Sequence, residues 1–321
     1  MPTVETVRGP VDADTLGVTL PHEHIFILRA EMEQNFRHRW GAPFWDEELR
    51  VADAIEKLSA ARAGGIETIV DPTVLGLGRH TPRIQRVNAE VDIHIVVATG
   101  IYAFLELSDF LATRSDDVIV ETFVGELRDG IDDTGVKAAF LKCAVEHHGI
   151  IGDMPRILGC VATAAVETGA PVMVHTNAAA RTGLLALDFL TERGVDPTRI
   201  VIAHAGDSND LAYLRALADR GASLGCDRYG IEHFNPTPDR IRTLLALIEE
   251  GYADRIHLAH DSACFYDFMA GNPFFADEHP DLLRISKSLL PALRDAGVTK
   301  EQIDLMMVDN PRSFLSPERA R

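Results

Sequence analysis

The chain has 321 residues, 49 acidic against 31 basic side chains, a formal charge of -18 at pH 7 and 46% hydrophobic residues. The apolar fraction suffices for a packed core, while the negative charge repels phosphate backbones and anionic lipid, so neither nucleic acid nor a membrane is the expected partner. Residues 1–10 lack the apolar run of a secretory signal, no stretch approaches the roughly 18 apolar residues of a membrane span, and four scattered cysteines suit reduced thiols; the expected location is the cytoplasm.

Residues 4–20 read as a short hairpin that turns near 10–14 and caps the bottom of a larger sheet. Eight apolar strand candidates come next, at 17–26, 66–73, 93–100, 138–145, 172–176, 200–205, 222–226 and 256–261, alternating with helical segments. The segment 239–250 shows the helical pattern: Ile241, Leu244, Leu245 and Ile248 share a face, and Gly251 closes it. Glycines also precede other strands at Gly64-Gly65, Gly169, Gly194 and Gly221. Near-continuous apolar strands suit a parallel sheet buried on both faces, and eight such units predict one closed (β/α)8 barrel over residues 1–321, with an open doubly wound sheet as the alternative. The last helices, 280–297 and 299–308, are expected to stop at Asn310-Pro311, because proline cannot continue the hydrogen-bond ladder.

Polar residues gather at the carboxyl ends of these strands, where barrel enzymes place their chemistry. His22 and His24 end the first strand, Lys142 the fourth, His175 the fifth, His204 the sixth and Asp261 the eighth. The spacing of His22 and His24 puts both imidazoles on one face of an extended segment, with Glu23 pointing away. His175 and His204 each close an apolar run that has no other reason to bury a titratable group, although a hydrogen-bonded core histidine remains an option for each. Asp261, buried after such a run, needs a cation or several hydrogen bonds to stay ionised, unless it caps the next segment.

Lys142 beside divalent cations would have to change chemically, since an ammonium offers no lone pair. A neutral amine can capture carbon dioxide as a carbamate whose two oxygens bridge two metals. The residue pattern by itself favours the simpler alternative, an amine paired with a neighbouring carboxylate. Asp71 is open to two roles, bracing a ligand or forming an Asp-Pro turn. The remaining histidines, His257 and His260 among them, are expected to be structural or exposed.

The motifs Gly17-Val18-Thr19-Leu20-Pro21-His22-Glu23-His24, Asp71-Pro72-Thr73, Thr99-Gly100-Ile101-Tyr102, Leu141-Lys142-Cys143, Val174-His175-Thr176, His204-Ala205-Gly206-Asp207, Asp227-Arg228-Tyr229-Gly230, His260-Asp261 and Asn310-Pro311 run nearly end to end. In these the chain resembles the phosphotriesterase family of the amidohydrolase superfamily. The resemblance implies a more buried metal on His22, His24 and Asp261 and a more exposed one on His175 and His204, bridged by carboxylated Lys142. Tyr102 and the Asp227-to-Gly230 motif are similar to the lactonase branch, which implies opening of N-acyl-homoserine lactones (quorum quenching), weak organophosphate hydrolysis, and a homodimer.

The mechanism expected on that basis uses two divalent metals about 3.5–4 Å apart, zinc or else cobalt, manganese or iron, to present a bridging hydroxide to the lactone carbonyl. Asp261 would carry the proton to the departing alkoxide. Tyr102 would orient the hydroxide or the lactone oxygen and Arg228 would organise the pocket, against the alternatives of wall packing and a salt bridge to Asp227. The segment 262–279, with Phe265, Tyr266, Phe268, Met269, Phe274 and Phe275, is read either as a lid lining an acyl channel or as a loop packing its own aromatics on neighbouring helices. Two rival functions stay open: phosphotriester or phosphodiester hydrolysis at the same metals, and a non-catalytic barrel that binds a ligand.

Overall fold

The computed structural model describes residues 2–40, 45–102, 105–267 and 281–316. Two strands, β1 (Thr3–Thr6) and β2 (Gly9–Asp12), form an antiparallel hairpin. The parallel sheet then runs β3 (Thr19–Leu20), β5 (Thr68–Asp71), β6 (His94–Gly100), β7 (Phe140–Val145), β8 (Val172–Thr176), β9 (Ile200–Ala203), β10 (Ser223–Cys226) and β11 (Ile256–Leu258), each beside the next. A further parallel pair, β4 (His24–Ile27) with β12 (Ala263–Tyr266), joins the two ends at the top. Helices cover the outside, and this is the expected (β/α)8 barrel with its N-terminal hairpin. All four cysteines are free thiols, and among the described residues no helix is long and apolar enough to cross a membrane.

Two apolar layers hold the barrel. One lies between strands and helices; the other fills the interior with Val70, Val96, Ala98, Phe140, Met173, Val201 and Ala203. Val4, Ala13 and Leu16 from the hairpin region plug this interior from below, together with Phe314 and Leu315 from the last helix. The hairpin does cap the barrel, but it turns earlier than the sequence suggests, at Val7-Arg8. Gly9 takes φ +100, which closes the turn there and leaves Pro10 paired with Glu5 inside β2.

The first strand is not continuous. Thr19–Leu20 pairs with β5, and His24–Ile27 pairs with β12. Pro21 has no N–H to give, and the Glu23 carboxylate reaches the last strand instead, accepting from the His260 and Ser262 backbone N–H groups at 2.8 Å each. The backbone N–H of Asp261 donates to His22 O and that of His24 to Ser262 O, so the barrel closes through irregular backbone at the candidate ligands themselves.

Pro311 does not stop the last helix. A π-helical turn over Leu305–Asp309 precedes Asn310–Leu315, and the Asn310 N–H reaches back to Leu305 O. Proline is then tolerated in the first turn after the shift. The same arrangement recurs at Ile285–Leu289 and Leu290–Asp295, which contains Pro291. Helix Thr237–Glu249 begins ahead of the predicted start because Pro238 fits its first turn.

Candidate functional site

Alternation along the strands lifts polar side chains directly above the apolar plug. On β7, Phe140 belongs to the interior layer and Lys142 follows two residues later; on β8, Met173 is followed in the same way by His175. His204 comes one residue after interior Ala203 and would turn outward by alternation. Its φ of +66 and a hydrogen bond from its backbone N–H to Asp227 Oδ1, 2.9 Å, turn it into the barrel instead. Asp261 is also left-handed, at φ +53, a conformation that an aspartate accepts more readily than most side chains. These two candidate ligands therefore hold strained backbone at the barrel mouth.

Each candidate histidine has one ring nitrogen held from outside. His22 Nδ1 and His204 Nδ1 bond to the two oxygens of Asp227, at 2.8 and 2.9 Å. His24 Nδ1 bonds to Thr73 Oγ1 at 2.7 Å, and the Thr73 hydroxyl in turn donates to Asp71. A hydroxyl has one proton, so Thr73 accepts from His24. Asp71 thus fills both expected roles: it braces a candidate ligand through Thr73 and orders the turn through the Thr73 N–H at 2.9 Å. His175 Nε2 lies 3.0 Å from Glu146 Oε1.

The other nitrogen of each ring points inward, where it can offer a lone pair to a cation. His22 Nε2 and His24 Nε2 lie 3.4 and 3.3 Å from Asp261 Oδ1, and His175 Nδ1 lies 2.8 Å from His204 Nε2. His22, His24 and Asp261 come close enough together to hold one ion, as do His22, His204 and Asp227. Asp227 already accepts from both imidazoles and from a backbone N–H, which suits an orienting partner better than a ligand.

Lys142 is 1% exposed and its Nζ has no hydrogen-bond partner among the described residues. The expected alternative, pairing with a carboxylate, is therefore not what the structure holds. Burial lowers the amine to about 8, against the pull of Asp261 and Asp227. A buried ammonium without an acceptor is costly, whereas a neutral amine is the form that takes up carbon dioxide, so the residue fits a metal-bridging carbamate. Burial and then Lys142 hold the His22 imidazole down to about 4, and burial with Arg228 holds His204 well below its ordinary range. For Asp261, burial pushes upward but His22, Arg228 and His204 outweigh it, and the carboxyl sits well below the usual range. Neutral His22 and His204 imidazoles beside an ionised carboxylate are the protonation states a cation needs, whereas at His24 burial pushes downward but Asp261 and Asp71 outweigh it and raise the imidazole.

All six candidate ligands, with Tyr102 and Arg228, line one cavity of about 460 Å³ at the barrel mouth, which Ile27, Leu77 and Tyr266 also border. Arg228 does not pair with Asp227 as its alternative role required. Its Nε donates to Asp261 Oδ2 at 2.8 Å and its Nη1 to Asp207 Oδ2 at 3.0 Å. The Tyr102 hydroxyl donates to Glu146 Oε1 at 2.9 Å, and burial followed by Glu146 raises its pKa well above the ordinary value. Burial pushes the Glu146 carboxyl up, but His175 and Tyr102 outweigh it and hold it at about 2.

In the segment read as a lid, Phe265 is core, with its ring 4.9 Å from Trp45, while Tyr266 faces the cavity. Phe268, Met269, Phe274 and Phe275 lie outside the described residues. His260 is structural, as expected, between Glu23 and the Ile285 N–H. Sequence reasoning passes over Glu146 and misses what Asp207, Asp227 and Thr73 hold, although all three lie in its motifs. Only Glu146 carries a legible signal, being four residues after Lys142 and so of the same strand parity.

Compared with known protein families, residues 2–315 match the phosphotriesterase family. The chain is 42% identical over 320 residues to a phosphotriesterase homology protein of Mycobacterium tuberculosis, covering 97% of each. It is 35% identical to an aryldialkylphosphatase of Saccharolobus solfataricus, covering 96% of this chain and 98% of that one. A solved structure of the phosphotriesterase from Mycobacterium tuberculosis superposes with a TM-score of 0.93 at 41% identity, over 98% of this chain and 99% of that one.

Proposed function

The chain belongs to the phosphotriesterase family of metal-dependent hydrolases, and from that premise we propose that it is a binuclear-metal lactonase acting on N-acyl-homoserine lactones or related lactones. The observation that carries this reading is the placement of Tyr102 and Arg228, the two side chains of lactonase-branch character, beside the candidate metal ligands in one cavity with Ile27 and Leu77 on its wall. His22, His24 and Asp261 would hold one ion, His175 and His204 the other, with carboxylated Lys142 between. Two such ions, zinc or else cobalt, manganese or iron, supply Lewis acidity and make water a nucleophile near neutral pH.

The chain's own groups do the rest. Arg228 fixes Asp261 through Oδ2, leaving Oδ1 toward His22 and His24. The Asp261 carboxylate takes the proton of the attacking water and returns it to the alkoxide of the opened ring, which leaves well only when protonated. Because a guanidinium stays charged, Arg228 orients Asp261 and steadies negative charge at the carbonyl rather than passing a proton. Ile27 and Leu77 offer an apolar wall to an acyl chain.

Organophosphate hydrolysis is the second reading, favoured by the aryldialkylphosphatase among the relatives. The test compares kcat/KM for acyl-homoserine lactones and paraoxon with defined metals. Lactones are expected to win by about a hundredfold or more, ~2.7 kcal/mol of transition-state discrimination. The opposite ranking removes the lactonase assignment. Lengthening the acyl chain should improve kcat/KM by up to about fourfold per methylene, the rate equivalent of ~0.8 kcal/mol.

A further inference from the structure

We propose that Glu146 is a positioning residue that ties the Tyr102 phenol to the His175 imidazole, so that one carboxylate sets the metal-facing nitrogen of the ring and the direction of the hydroxyl. The inference rests on the metal and pocket assignment above. Glu146 directly follows β7, the strand between β6 and β8. Tyr102 comes two residues after β6, and His175 lies in β8. The carboxylate therefore meets one group from each neighbouring strand.

Both contacts fall on the same oxygen. Tyr102 donates its hydroxyl proton to Glu146 Oε1 at 2.9 Å, and His175 Nε2 lies 3.0 Å from that atom. A carboxylate oxygen has lone pairs for two donors. With the His175 proton on Nε2, the lone pair is on Nδ1, which faces His204 Nε2 at 2.8 Å. The phenol ring stands edge-on to the imidazole, with centroids 5.0 Å apart and planes at 80°, so the two rings are held as a unit.

The same contact limits what Tyr102 can do. A phenol has a single proton, and here Glu146 receives it. Its oxygen is left as an acceptor 3.3 Å from His175 Nε2, so the phenol braces the imidazole directly as well as through Glu146 and is not the acid that protonates a leaving group.

The test uses the metal-loaded enzyme. Glu146→Leu keeps the bulk and removes both acceptors; Glu146→Gln keeps one oxygen but loses the charge that strengthens these bonds. Metal release to a chelator should quicken about 10- to 100-fold in Glu146→Leu, the usual cost of losing the outer partner of a ligand histidine. Glu146→Gln should fall between it and the parent. In turnover, Glu146→Leu combined with Tyr102→Phe should lower kcat by clearly less than the product of the single effects, because both changes break the same contact.

Metal release at the parental rate in Glu146→Leu, or independent single effects in turnover, overturns the proposal. The chelator measurement needs no substrate, so it reports on Glu146 even if lactones prove not to be turned over. The turnover cycle can be run on whichever ester the enzyme prefers. If Glu146→Leu does not fold, Glu146→Gln carries both comparisons against the parent.

Discussion

Phe140 and Lys142 stand two residues apart on the same face of β7, yet they meet opposite surroundings. Phe140 is fully buried in the plug, with its ring 5.8 Å from Phe314, in an apolar layer whose Phe314 also meets the His257 ring. Lys142 is equally buried but sits among imidazoles and carboxylates, with no partner for its amine among the described residues. The lower half of the barrel is a close-packed core, and the upper half is a set of polar groups that such a core would not tolerate without a cation. Stability and chemistry thus occupy successive layers of the same strands, which lets them be perturbed separately.

The largest effect is expected at the top. Lys142→Ala should lose metal and cut kcat/KM by at least about a thousandfold, ~4 kcal/mol of the stabilisation a Lewis-acid site supplies, with short carboxylic acids restoring part of both. The unfolding midpoint of the metal-free protein should move little, since the buried amine has no bond to lose. Parental activity without rescue would mean that Lys142 holds no metal. One layer down, Phe140→Ala should cost about 3–5 kcal/mol in denaturant unfolding while the folded fraction keeps its metal and its kcat. A large loss of metal from the folded variant would show that the layers are not separable.

His257 sharpens the boundary between them. It is buried on β11, and neither ring nitrogen has a partner among the described residues. Burial holds its pKa near 4, below the ordinary 6.5. The unfolded chain therefore binds a proton that the native state does not between those values. Stability is complete above pH 6.5 and is lost as pH falls toward 4, by up to ~3 kcal/mol from this group. His257→Leu should stabilise the protein by about 1–3 kcal/mol at pH 7, because it removes two unsatisfied groups, and the advantage should grow on acidification. Equal acid sensitivity of variant and parent would mean that the histidine is solvated after all.

Much of this arrangement is legible in the order of the residues. Strand β8 spans Val172–Thr176, as its apolar run predicts, and His22, His24, Lys142, His175, His204 and Asp261 all reach one cavity. Local signals suffice there: apolar runs define strands, and a polar residue ending such a run marks the open end of a barrel. Where prediction fails at the barrel mouth, a distant partner has intervened. Glu23 breaks the first strand by bonding the last, and Asp227 leaves its neighbour Arg228 for imidazoles just after β9 and just after β3. Pro311 continues a helix because a π-helical turn shifts the ladder around it.

What the chain order alone determined is the alternation of strands and helices and the chemical type of the residues at each strand end, since both depend on spacing within a few residues. Only the closed barrel decided which of those residues face one another, which nitrogen of each imidazole turns inward and that the Lys142 amine is left without an acceptor. Those properties arise between strands far apart in sequence. The hydrogen bonds that settle them do not exist until the strands pair around the barrel, the first with the last included.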